Sequence, residues 1–207
     1  MRTVLRDRVG PDLRVLFVGI NPGMRSAAVG HHFAGPSNRF WKLLHESALV
    51  SEPVTWRDDD RLPAWGLGIT NLVARATPGL GDLHPSELVA GRRALVAKIG
   101  RYKPAIVALV GVTIYRALFP RAAATGAVLG AAPEQLGGAR VFVLPNPSGR
   151  NANYTYAEML DAFRRLRDLV DVRGSISESS LSTRGSRACR LPDPQTARPR
   201  AASRSRA

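Results

Sequence analysis

Cysteine is nearly missing: the 207-residue chain has one, Cys189. A lone thiol excludes an intrachain disulfide, and a Cys-ligated zinc site or iron–sulfur cluster held by this chain alone. It suits a reducing compartment. Acidic residues are scarce, 16 against 30 Lys and Arg, for a formal net charge of +14. That excess leaves the fold open but favours polyanionic partners, nucleic acid before an anionic membrane. No apolar run is long enough to span a bilayer. The opening MRTVLRDRVGPDLR lacks the apolar stretch of a secretory signal, so a cytoplasmic protein is expected, and the richness in Arg, Ala and Gly suits a high-GC bacterial genome. No GK[ST] triplet follows a glycine-rich loop, so there is no Walker site. Carboxylate, His and Cys residues do not recur at ligand spacing, so neither metal nor cofactor is expected.

What is present divides in two. From Gly174 to Ala207 the chain is Ser-, Arg-, Pro- and Ala-rich with few large apolar residues. Such a segment buries too little surface to offset chain entropy, and is expected to be disordered. It is either a solubilising extension or a loose electrostatic tether to DNA. It carries a net +5, so residues 1–173 keep +9 of the +14. The basic excess therefore belongs to the folded domain as well.

Residues 1–173 alternate short apolar runs with helical patterns. Strands are expected at Leu13–Val18, Leu67–Val73, Ala105–Val110 and Val141–Leu144; the first is a continuous apolar run, the mark of a strand buried on both faces, and the third also reads as buried. Helices are expected at Asn38–Ala48, from a Ser86 cap to about Arg101, at Thr113–Phe119, and from the Thr155–Glu158 capping box to about Val172. The alternation predicts an α/β domain, a three-layer α/β/α sandwich around a short, mainly parallel four-stranded sheet.

In such sheets ligands bind beyond the carboxyl ends of the strands. Two loops there pair Asn with Pro and Gly: GINPG after the first strand and NPSGR, Asn146–Arg150, after the last. They form one crevice if those strands share an edge of the site. Gly19 and Gly23 permit close backbone approach, and Pro22 stiffens the turn. Asn21 offers one acceptor and two donors and does not ionise. It can hold a water, or merely bond its own turn. Between the loops lies GHHFAGPSNRFWK, Gly30–Lys42. Phe33 there can stack on a planar ligand or plug the core. His31 and His32 read as loop-packing or phosphate-side residues, Trp41 as core, and Asp58–Asp60 as a solvated loop or helix cap.

Five blocks in order, GINPG, GHHFAGPSNRFWK, GITNLVARATPG, ELVAGRRALVAKIGRYKP and LPNPSGR, resemble the mismatch-specific uracil-DNA glycosylases and thymine-DNA glycosylase. The resemblance runs from about Leu13 to Leu169. It implies a monomeric DNA N-glycosylase that flips uracil out of a G·U pair and hydrolyses the glycosidic bond. Thymine and other damaged pyrimidines opposite guanine stay open as substrates. By motif position, Asn21 would hold the water. Backbone N–H groups near Ile20 and Gly23 would meet the leaving uracil anion. Phe33 would stack on the base, Ser26 would lie near its C5 edge, and Asn71 and Asn146 would face the pocket. Ser148, Gly149 and Arg150 would contact DNA, with Arg150 as the wedge. The alternative is a non-catalytic protein of this fold that holds mismatched or abasic DNA. Intact Asn21 argues against it.

Overall fold

The computed structural model describes residues 5–123 and 129–182. Its chain divides into two units, 1–173 and 174–207.

Five strands form one sheet: β1 (Val15–Gly19), β2 (Leu67–Asn71), β3 (Ile106–Val110), β4 (Gly130–Leu136) and β5 (Ala139–Leu144), in the order β2-β1-β3-β5-β4. β1, β2, β3 and β5 are parallel and β4 is antiparallel to β5. The helices are α1 (Met24–Val29), α2 (Phe40–Glu46), α3 (Pro85–Tyr102), α4 (Val112–Leu118), α5 (Pro120–Ala123) and α6 (Tyr156–Ser182), with a 3-10 segment at Trp56–Trp65.

Strand alternation builds two cores. Val15, Phe17, Ile106, Ala108 and Phe142 face one side, against α2, the 3-10 segment and Phe163 and Leu166 of α6. Leu16, Val18, Val107, Leu109 and Val143 face the other, against Leu95 and Ile99 of α3 and Ile114 of α4. These are the three layers that the sequence predicts.

The sheet has five strands rather than four. The sequence pattern assigns no strand to GAAPEQL, which carries little apolar weight and includes Pro133. An edge strand tolerates proline, since one row of its backbone groups has no partner to lose. The Gly137-Gly138 turn, with φ +58° and +86°, joins β4 to β5. Two positive φ values in a row make the hairpin turn that a Gly-Gly pair signals. The opposite edge, β2, is met by the N-terminal segment, where Arg8 and Ile69 exchange backbone hydrogen bonds of 2.9 and 2.7 Å.

Two further readings are corrected. His84, not Ser86, caps α3: its ring nitrogen Nδ1 accepts from the Ser86 N–H, and Pro85 takes the first helical position. β3 lies between β1 and β5, the first and last of the predicted strands. The last helix continues to Ser182, past the composition boundary at 173. The rest of the expected disordered tail, 183–207, lies outside the described residues.

Candidate active site

Chain connections leaving β1 and β3 go to opposite faces of the sheet, to α2 and to α4 respectively. A crevice opens at such a switch point. A cleft of about 740 Å³ lies there, within the range of ligand sites. Although β1 and β5 are not neighbours, both of their loops reach it.

Nine of the ten residues singled out in the sequence line this cleft: Ile20, Asn21, Gly23, Ser26, Phe33, Asn71, Asn146, Ser148 and Arg150. Gly149 does not. A Cβ there would stand 2.4 Å from the Ser37 Cβ, so this glycine serves close packing between two loops. The N–H of Arg39 ties the same loops together by donating to the Pro147 carbonyl at 2.9 Å. Gly19, at the end of β1, lies close against the Asn71 side chain, whose Oδ1 would stand 2.6 Å from a Cβ there. Gly23, by contrast, has an ordinary φ of −68° and open space around it.

The Asn21 side chain is held by one end only. Its Nδ2 donates to the Thr77 hydroxyl at 2.7 Å, the Arg75 carbonyl at 3.2 Å and the Pro22 carbonyl at 3.4 Å. Carbonyls only accept, so the NH2 group must be the end facing them. The Thr77 hydroxyl gives its proton to the Gly79 carbonyl at 2.5 Å and so presents a lone pair to Asn21. Asn21 Oδ1 makes no hydrogen bond among the described residues. The self-bonding turn is therefore a minor part of what this side chain does.

Phe33 combines both roles considered for it. Its ring stacks on Phe40, centroids 4.2 Å apart, and also lines the cleft. Its φ of +49° is unusual for a non-glycine residue. Neighbouring bonds hold it there. The Ser26 hydroxyl accepts from the Ala34 N–H at 3.1 Å, and Arg25 Nε donates to the Ala34 carbonyl at 2.9 Å.

The main anchor of this loop is Asp59, which is fully buried and not the solvated residue read from the acidic run. It accepts from the His32 N–H at 2.9 Å and from Arg8 Nε at 2.9 Å, and pairs with the His31 ring at 3.0 Å. Its neighbour Asp58 does cap the 3-10 segment, in a box with Thr55. His32 packs as the sequence suggests. Its Nε2 lies 2.9 Å from the Arg6 carbonyl, which requires a proton on that nitrogen. Nδ1 then accepts from Asn71 Nδ2 at 3.5 Å. Burial, above all, pushes the His32 pKa down from the ordinary value of 6.5, which favours this neutral form.

Arg150 is exposed at the rim of the cleft, and its guanidinium makes no ion pair or hydrogen bond among the described residues. Thr77, Arg75 and Asp59 were missed as site residues. Only the ATPG turn signal hints at Thr77. Among the described residues, no group of three or more His, Cys, Asp or Glu could hold a metal ion, and no helix is long and apolar enough to cross a membrane.

The family model described as "Uracil DNA glycosylase superfamily" matches residues 7–167. The fold is also similar to the solution NMR structure of a "putative Uracil DNA glycosylase" from Methanosarcina acetivorans. The TM-score is 0.55 at 15% identity, covering 80% of this chain and 98% of that one.

Proposed function

The chain belongs to the uracil DNA glycosylase superfamily, and we propose that it excises uracil opposite guanine from duplex DNA by hydrolysis of the N-glycosidic bond. The observation that carries this reading is the direction of Asn21, a residue that lines the cleft: its NH2 group is turned into the protein and its Oδ1 has no hydrogen-bond partner among the described residues.

A stacked base is out of reach, so the nucleotide must first leave the duplex, and a mismatched one does so at lower cost. Phe33 supplies a ring for the flipped base. Asn71, with Nδ2 toward His32, offers its oxygen to the N3–H of uracil. Cytosine has no proton on N3, so the same oxygen disfavours it. Asn21 Oδ1 accepts one hydrogen bond from a water and aims it at C1′. The water oxygen bonds C1′ as the C1′–N1 bond breaks. The bonding pair leaves with N1 as the uracil anion, and the water's proton passes to solvent. An amide is a weak base, so its contribution is orientation. The leaving anion is met by backbone N–H groups of the Ile20–Gly23 loop, in the manner of an oxyanion hole. Arg150 fills the vacated stack with its planar guanidinium, facing the orphan guanine.

The test is a labelled duplex with one central G·U pair, incubated with excess protein and then with alkali, which breaks the strand at abasic sites. The wild type should cleave, and faster than on A·U or G·C duplexes. Asn21→Ala should lose ~10²-fold or more in rate, comparable to loss of one preorganised transition-state contact. Mismatch binding without cleavage by the wild type would replace the enzyme with a binding protein of the same fold.

A further inference from the structure

Arg75 sits in the segment between β2 and α3, and its two ends face different parts of the protein. Its carbonyl accepts from Asn21 Nδ2 at 3.2 Å. Its guanidinium grips Glu87 of α3 through both carboxylate oxygens, at 2.8 and 2.7 Å, and also donates to the Asp82 carbonyl at 2.7 Å. Glu87 is itself fixed, because its Oε2 accepts from the His84 N–H at 2.8 Å as part of the cap of α3. One turn along, Gly91 lies against the main chain of the same segment, where a Cβ would stand 2.2 Å from the Leu72 carbonyl oxygen. The start of α3 thus touches the segment at both ends of Leu72–Arg75. That segment continues to Thr77, whose hydroxyl also accepts from Asn21 Nδ2.

We propose that the Arg75–Glu87 pair is a positioning device for the reaction, locking the carbonyl of Arg75 where it turns the Asn21 amide toward the water site. The proposal rests on the reading of Asn21 as the water-holding residue. The pair is partly exposed, 36% and 27% for its side chains. Exposed ion pairs contribute little to stability. A fork-to-carboxylate contact, however, fixes both distance and angle, and small misplacements of a catalytic group are costly in rate. The pair persists at neutral pH, since the hydrogen bonds from Arg75 and the His84 backbone hold the Glu87 carboxyl down to about 2.

Two readouts test this. In single-turnover G·U cleavage with saturating protein, Glu87→Gln and Arg75→Lys should each slow the chemical step by about tenfold or more. DNA affinity and Tm should stay close to wild type. In an Asn21→Ala background, Glu87→Gln should have no further effect. Arg165→Gln, which breaks another exposed ion pair on α6, is the control and should change nothing. Equal losses from Glu87→Gln with and without Asn21, or no loss at all, would overturn the proposal.

The second readout does not need activity. The side-chain NH2 resonances of Asn21, identified by their absence in Asn21→Ala, should exchange slowly with water. Exchange should be much faster in Glu87→Gln. Unchanged exchange would overturn the proposal even if the wild type proved inactive on uracil. Altered exchange in an inactive wild type would uphold the positioning of Asn21 and reject only the uracil reading.

Discussion

At the scale of single residues, the chemistry rests on which end of an amide faces the cleft. Asn21 was legible as a candidate because an apolar strand ends in GINPG. Its orientation was not, because its partners Arg75 and Thr77 lie 54 and 56 residues away. Thr77→Val keeps the shape but removes the lone pair that Asn21 uses. Single-turnover G·U cleavage should slow by about 10- to 100-fold, with little further loss when Asn21 is already Ala. His32 gives a prediction in pH. Its folded pKa is lowered by burial, so between the folded value and 6.5 the unfolded chain binds more protons. Its contribution to stability is therefore complete above about pH 6.5 and declines as pH falls toward the folded pKa. Urea unfolding from pH 7.5 to 5 should show a loss that is smaller in His32→Gln.

At the scale of elements, α3 is the part whose sequence says least about its role. Its apolar positions announced a helix packed on the sheet, as observed. Nothing in the pattern announced that Gly91 marks contact with the backbone of the active-site segment. Gly100, in the same helix, has open space around it. The two glycines should therefore respond with opposite signs. Gly100→Ala should stabilise by about 0.5–1 kcal/mol, the ordinary helix gain. Gly91→Ala should instead destabilise by about 1–3 kcal/mol, because the Leu72 carbonyl blocks the new methyl group. Urea midpoints for both variants check this. A stabilising Gly91→Ala would mean that α3 is free to move away from the segment. β4 is the complementary case. Its own residues show no strand pattern, and only the Gly137-Gly138 turn signals the hairpin.

At the scale of the whole molecule, the +14 charge was the first pointer to nucleic acid, and +9 of it lies within residues 1–173. Duplex binding should therefore weaken steeply with salt. Arg150→Ala should lower the slope of log K against log[salt] by about one unit if the guanidinium meets phosphate. If it fills the stack instead, the slope should change little while G·U discrimination falls. Fluorescence anisotropy on G·U and G·C duplexes, over a salt series, separates the two.

The sequence by itself determined the α/β class, the four parallel strands, the two Asn-Pro loops and nine residues that line the cleft. These depend on periodicity and turn chemistry, which act within a few residues of chain. Tertiary structure alone decided three things: the antiparallel fifth strand, the burial of Asp59 beneath the Phe33 loop, and the direction of the Asn21 amide. Each depends on partners distant in sequence. An edge strand is defined by the neighbour it pairs with, and a buried carboxylate by the donors gathered around it. An amide is oriented by whatever carbonyl or hydroxyl the fold brings to each end.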